Sequence, residues 1–162
     1  MDSRPKETSP ARSTVPPGTG PAPVLRRLAP HLYLKAYPSG VTADTLRRFL
    51  AEVEQEMPGF ERPFAWIVDI PRSVGATSLH RQIYADHDKR TQALDRAYCA
   101  GVGLVVMNAA MRGMVTAVYW LQPPVYPHHV ASTRPEALEF CREQLEARGV
   151  TVDADRARRD LG

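Results

Sequence analysis

Phe64-Ala-Trp-Ile-Val-Asp-Ile-Pro-Arg-Ser-Val-Gly-Ala-Thr-Ser-Leu79 decides how this chain is read. Its first five residues are an unbroken apolar run, the pattern of a strand covered on both faces, and the run stops at Asp69. Pro71 cannot continue a central ladder and Gly75 frees the backbone, so the stretch from Asp69 to Thr77 reads as a loop, with a helix starting at Thr77 or Ser78. Gly101-Val-Gly-Leu-Val-Val-Met107 is a second buried strand, closed by Asn108, whose side chain suits the cap of the following helix.

Working outward, 24–28 and 31–37 read as a first hairpin. In its second strand Leu32 and Leu34 share one face, and Tyr33, Lys35 and Tyr37 the other. Thr42 caps a helix whose apolar positions Leu46, Phe49, Leu50, Val53 and Met57 recur at helical spacing, and Pro58-Gly59 ends it. The helix over 78–98 is expected to bury Leu79, Ile83, Leu94 and Tyr98 and to carry a solvated face at Asp86, His87, Asp88, Lys89 and Arg90. The helix over 109–121 is apolar nearly all round, which requires either packing between other elements or use as an interface. A short strand within 125–132 follows, and Arg134-Pro-Glu136 opens a helix with Leu138, Cys141 and Leu145 inward and Gly149 as its stop.

Residues 1–23, rich in Pro, Ser, Thr and charge, are expected to form a disordered arm, 24–150 one domain, and 151–162 a polar, frayed tail. Strands alternating with helices require crossover connections. The fold class is therefore α/β, a mostly parallel sheet of four or five strands with about four helices. In such sheets function gathers at the carboxyl ends of the strands, here 69–78 and 107–112.

Composition narrows the classes of function. A formal charge of +3, with acidic and basic residues interspersed, gives no basic stripe with stacking aromatics, so no nucleic-acid partner is expected. No stretch reaches the roughly 20 apolar residues of a membrane span, and no apolar leader opens the chain, so a cytoplasmic protein is expected. Cys99 and Cys141 read as free structural thiols. His80 and His87 lie about 10 Å apart along a helix at 1.5 Å per residue, too far to share one ion, and His128 and His129 point to opposite faces of a strand, so no metal is expected. Gly101 and Gly103 open a strand rather than a phosphate loop and are read as relieving crowding against a helix. No cofactor motif and no nucleophile elbow is present.

Several residues carry more than one reading. Thr77 or Ser78 can cap a helix start, or Ser78 can accept a phosphate that the free N–H groups stabilise. Asp69 can hold Arg72 or the loop amides, or serve as an acid or base. In the apolar helix, Met111, Met114, Val115, Val118, Tyr119 and Trp120 exceed what one buried stripe needs. Core packing explains most of them, and the surplus can serve as a dimer or partner surface, with Arg112 at the helix start placed to hold an anion.

The runs Pro63-Phe-Ala-Trp-Ile-Val-Asp-Ile70, Cys99-Ala-Gly-Val-Gly-Leu-Val-Val106 and Arg112-Gly-Met-Val-Thr-Ala-Val-Tyr-Trp-Leu121, in this order of elements, resemble the bacterial STAS-like proteins related to anti-sigma-factor antagonists. The resemblance spans roughly 24–149. It implies a compact sheet bearing helices and a non-enzymatic protein that regulates by binding a partner. Members that switch by phosphorylation carry an Asp-Ser-Ser-Gly-like sequence after the central strand. Here the corresponding residues are Asp69-Ile-Pro-Arg-Ser-Val-Gly-Ala-Thr-Ser78, with Ser73, Thr77 and Ser78 as the candidate hydroxyls.

The first functional reading is therefore a binding module that engages a protein through Asp69, Arg72, Ser73, Thr77, Ser78, Arg81 and Tyr84. A second surface, for a further partner, a second copy or a ligand, is expected at Asn108, Arg112, Tyr119 and Trp120. The alternative is a carrier of lipid or another small apolar ligand, since STAS-like architecture is similar to the CRAL/TRIO lipid-binding fold; a pocket lined by Trp66, Met107, Met111, Val115 and Trp120 would favour it. A third reading is a small enzyme using Asp69 and a histidine.

Overall fold

Alternating apolar runs and amphipathic segments resolve into a five-stranded sheet and five α-helices in a computed structural model that describes residues 20–70 and 77–162. The elements are β1 (Val24–Ala29), β2 (Leu32–Ala36), α1 (Ala43–Glu56), β3 (Phe64–Ile70), α2 (Ser78–Tyr98), β4 (Cys99–Val106), α3 (Ala109–Leu121), β5 (His128–Ala131), α4 (Arg134–Glu146) and α5 (Ala154–Leu161). A short 3-10 turn at Met57–Gly59 ends α1 where Pro58-Gly59 breaks the pattern.

The strands lie in the order β1-β2-β3-β4-β5. β1 pairs antiparallel with β2, and every other pair is parallel. The two apolar ribbons of the sequence, β3 and β4, lie side by side at the centre, Trp66 opposite Val102 and Asp69 opposite Val105. All eight residues of β4 are buried.

Three successive parallel crossovers run in one direction across the sheet, and a common hand puts their helices on a common face. Residues of α1 and α2 accordingly pack with Tyr33, Phe64, Trp66 and Val102. α3 lies on the same side, with Tyr119 edge-on to His128 at 4.5 Å between ring centres and His128 in register with Val102. The opposite face is closed by α4 and α5 over Leu32, Leu34, Ala65, Ile67 and Val105.

Glycine earns its place in β4 by close approach. A Cβ on Gly103 would stand 2.7 Å from the Ala137 carbonyl oxygen of α4, and one on Gly101 would stand 2.9 Å from Gln144. Both glycines thus relieve crowding against a helix.

Two elements depart from the sequence reading. The segment expected to be a frayed tail forms α5: Asp153 caps it by accepting from the Arg156 N–H, and Val152, Ala157 and Leu161 are buried in the α4 face. The pairing of Val152 before the cap with Ala157 one turn in is a hydrophobic staple. In α2 the inward stripe is Ile83, His87, Thr91 and Asp95, whereas Leu79 is 42 % exposed and Leu94 and Tyr98 are only half-buried. The solvated face expected at 86–90 therefore excludes His87. The arm predicted over 1–23 lies, for 1–19, outside the described residues, and Pro23 is buried.

Candidate partner-binding surface

At the carboxyl edge of the sheet β3 ends in Asp69 and Ile70, and α2 begins at Ser78. Thr77 is the cap of that helix, its hydroxyl accepting the His80 N–H at 3.3 Å. The same hydroxyl lies 2.7 Å from His80 Nδ1, and His80 Nε2 lies 2.8 Å from the Val41 carbonyl. A carbonyl only accepts, so Nε2 carries the ring proton, and Nδ1 receives the Thr77 hydroxyl. This relay ties the start of α2 to the loop before α1.

With Thr77 serving as the cap, Ser78 is left as the first residue of the helix, exposed, with exposed Leu79 beside it. Arg81 is also exposed. Arg72 and Ser73 lie outside the described residues.

Asp69 is engaged elsewhere. Alternation along β3 turns it toward α4 with Ala65 and Ile67, and its Oδ2 receives Arg134 Nε at 2.7 Å and Nη2 at 2.6 Å. Arg134 also donates to the carbonyl of Leu161, so the pair fastens the start of α4 and the end of α5 to the sheet. Arg134 is thus the side-chain partner of Asp69 among the described residues, and Arg72 and the loop amides of 71–76, the partners expected from the sequence, lie outside them. Tyr84 belongs to the other face, its ring edge-on to Tyr37 at 5.8 Å, and burial raises its hydroxyl to about 12. The predicted set is therefore split: Thr77, Ser78 and Arg81 share the shoulder of α2, Asp69 lies beneath α4, and Tyr84 faces the sheet.

Beneath α2 runs a seam of ionisable groups that apolar periodicity does not reveal. Lys35 projects from β2 with its ammonium 4.1 Å from the centre of the Trp66 ring. Burial lowers its pKa, while Asp95 and Asp88 oppose that shift. The carboxyls of Asp95 and Asp88 are in turn raised by burial and relieved by Lys35. Asp88 remains open to water on the wall of this seam.

His87, 4 % exposed, donates from Nδ1 to Glu54 Oε1 at 2.8 Å, and burial followed by the Lys35 charge lowers it to about 4. Arg90 completes the link by donating to both Glu54 oxygens, at 2.9 and 3.0 Å. Among the described residues no buried side-chain nitrogen or oxygen lacks a partner. The seam is thus a satisfied polar lining that joins α1, α2 and the sheet.

The second predicted surface is also used partly for structure. Asn108 caps α3, accepting from the N–H groups of Ala110 at 2.9 Å and Met111 at 3.2 Å. Arg112 turns back to donate to the Val106 and Met107 carbonyls, both at 2.9 Å, which occupies the group expected to hold an anion. Tyr119 is half-buried against His128, while Trp120 is 83 % exposed.

The residues that would line an apolar-ligand pocket do not converge. Trp66 is 2 % exposed and packed among Tyr33, Phe60 and Phe64, whereas Trp120 stands in solvent. Two open recesses are present among the described residues, and of the expected lining only Trp120 borders one of them, the smaller. One of about 520 Å³ is lined by the paired Arg27 and Glu61 together with Tyr33 and Phe60, and one of about 250 Å³ lies between α3 and β5. Among the described residues no three His, Cys, Asp or Glu side chains meet as a metal site requires, and no helix is long and apolar enough to cross a membrane. No protein-family model, curated protein or solved structure matches the chain.

Proposed function

We propose that this chain is a non-catalytic regulatory module, of the kind STAS-like anti-sigma-factor antagonist domains represent, and that it engages a protein partner through the shoulder at Thr77, Ser78, Leu79 and Arg81. One observation carries the reading. The central strand of the sheet leads to a helix start that is already capped by Thr77, which leaves an exposed hydroxyl and an exposed leucine side by side at the first turn. A hydroxyl at the first helical position can gain a phosphate whose charge the free backbone N–H groups favour, so the shoulder can be switched without unfolding the helix.

The strand order also supports a binding role. It runs from β1 to β5 without reversing, so the sheet has no switch point, the crevice at which doubly wound sheets hold cofactors. Asp69 is held by Arg134 and by its position beneath α4, which weighs against its use as an acid or base in the third reading. The filled aromatic cluster around Trp66 weighs against apolar-ligand carriage.

The test is capture from the native host with the full chain as bait, beside Leu79→Asp and Ser78→Glu baits of equal helicity. A defined protein retained by the parent and lost from Leu79→Asp, with a change on Ser78→Glu, is the expected result. Identical capture by all three baits would overturn the assignment of the shoulder, and recovery of lipid alone would overturn the module itself.

A further inference from the structure

We propose that the outer face of α3 is a contact between two copies of this chain, helix against helix about a two-fold axis. The inference deepens the reading of the chain as a binding module and makes no use of the α2 shoulder.

A helix apolar nearly all round is ordinarily enclosed by other elements. α3 is not: every residue whose side chain is described is exposed or half-buried. Met114 is 67 % exposed, Trp120 83 % and Leu121 84 %, with Met107 at 52 % just before the helix. The helix itself covers the part of the sheet face that α1 and α2 leave, touching β4 and β5, and these side chains stand on its outer side, where nothing closes over them among the described residues.

The occupant follows from charge and area. Arg112 is the one charged residue of α3, and its guanidinium is turned away onto the Val106 and Met107 carbonyls, so the outer face presents no charge. Such a face meets its own copy with no like charges opposed and none stripped of water, as an isologous interface requires. A strongly charged partner would lose hydration there and meet no counter-charge.

Taking about 200 Å² for each side chain when fully exposed, the four large side chains at their fractional exposures present on the order of 600 Å², and the exposed Ala109, Ala110, Gly113 and Ala117 bring the face toward the roughly 800 Å² per copy of a stable pair. Nothing lies within 4 Å of the place a Cβ on Gly113 would take, so the axes can approach closely there. Trp120 is the aromatic anchor such contacts favour.

Sedimentation equilibrium of the full chain from about 0.1 to about 100 µM, with tryptophan emission recorded on the same samples, tests this. The chain has two tryptophans, and Trp66 is buried, so a concentration-dependent shift in emission reports Trp120. A reversible monomer–dimer equilibrium is expected, with emission moving to the blue as the dimer forms. Met114→Glu and Leu121→Glu should each weaken it by about tenfold or more at unchanged circular dichroism.

A chain that stays monomeric at about 100 µM overturns the proposal, as does a dimer that neither variant weakens. So does a monomer whose Trp120 is shielded at every concentration, the result of cover by another segment of the same chain. A monomer that still captures its partner through the shoulder leaves the module standing. Loss of shoulder-dependent capture with the dimer intact overturns the shoulder alone.

Discussion

Under α4 and α5 the sheet meets Leu138, Cys141, Leu145, Ala157 and Leu161, none more than 4 % exposed. Under α2 it meets Ile83, His87, Thr91 and Asp95, and α3 lays over it no buried side chain among the described residues. The first face is closed by apolar packing so tight that Gly103 has no room for a methyl group against Ala137. The second is apolar under α1, where Leu46, Phe49, Leu50 and Val53 pack on the aromatic cluster, but beneath α2 and α3 it is closed by a lysine over a tryptophan, a histidine–glutamate–arginine link, and a helix that keeps its large side chains in water. The α4 face and the α1 part of the other face hold the fold, and the α2–α3 part, which a stability optimum would not leave in this state, is where the proposed contacts lie.

Truncations across the two faces should differ most. Leu138→Ala in α4 is expected to cost about 3 kcal/mol, and Met114→Ala in α3 less than about 0.5 kcal/mol, read as shifts in the urea midpoint of the monomer. Equal losses would erase the comparison.

Acid should strike the second face first. His87 is held at about 4, below its ordinary 6.5, so the unfolded chain takes up a proton that the folded chain refuses. The contribution is complete above pH 6.5 and is lost as the pH falls through 4, up to about 3 kcal/mol over that window. Asp88 and Asp95, whose folded carboxyls are raised by burial, act in the opposite sense, since protonating them relieves a cost. The His87 share is therefore the difference between the parent and His87→Gln in stability against pH, and parallel curves would remove it. A smaller effect is expected at the edge of the first face: Arg134→Ala, which frees Asp69 and the Leu161 carbonyl, should cost about 1 kcal/mol and expose the arginines of α5 to trypsin.

The sheet and most caps were legible because they rest on local rules. The apolar runs of β3 and β4, Thr42 and Asn108 before their helices, and the paired glycines of β4 each announce a single structure. Of the inward face of α2 only Ile83 was legible, because the rest of its stripe is His87, Thr91 and Asp95, with partners such as Glu54 and Lys35 on other elements, and hydrophobic periodicity selects Leu79 and Leu94 in their place. Lys35 shows the same limit: alternation put it opposite Leu32 and Leu34, and both faces of β2 proved to be covered.

α5 was hidden by its charge, although Asp153 followed by Ala157 and Leu161, with Val152 just before the cap, is a readable start signal. At the candidate site, Thr77 as cap and Trp120 as a surplus aromatic could be read in advance. The pairing of Asp69 with Arg134 could not, because 65 residues separate them in the chain.

Amide hydrogen exchange at sub-micromolar concentration tests the division between the faces most directly, by comparing α3 with α4 in one protein. The account predicts that the amides of 109–121 exchange through local opening orders of magnitude faster than those of 134–146, whose protection should match global unfolding. Protection of α3 equal to that of α4 in the monomer would contradict it.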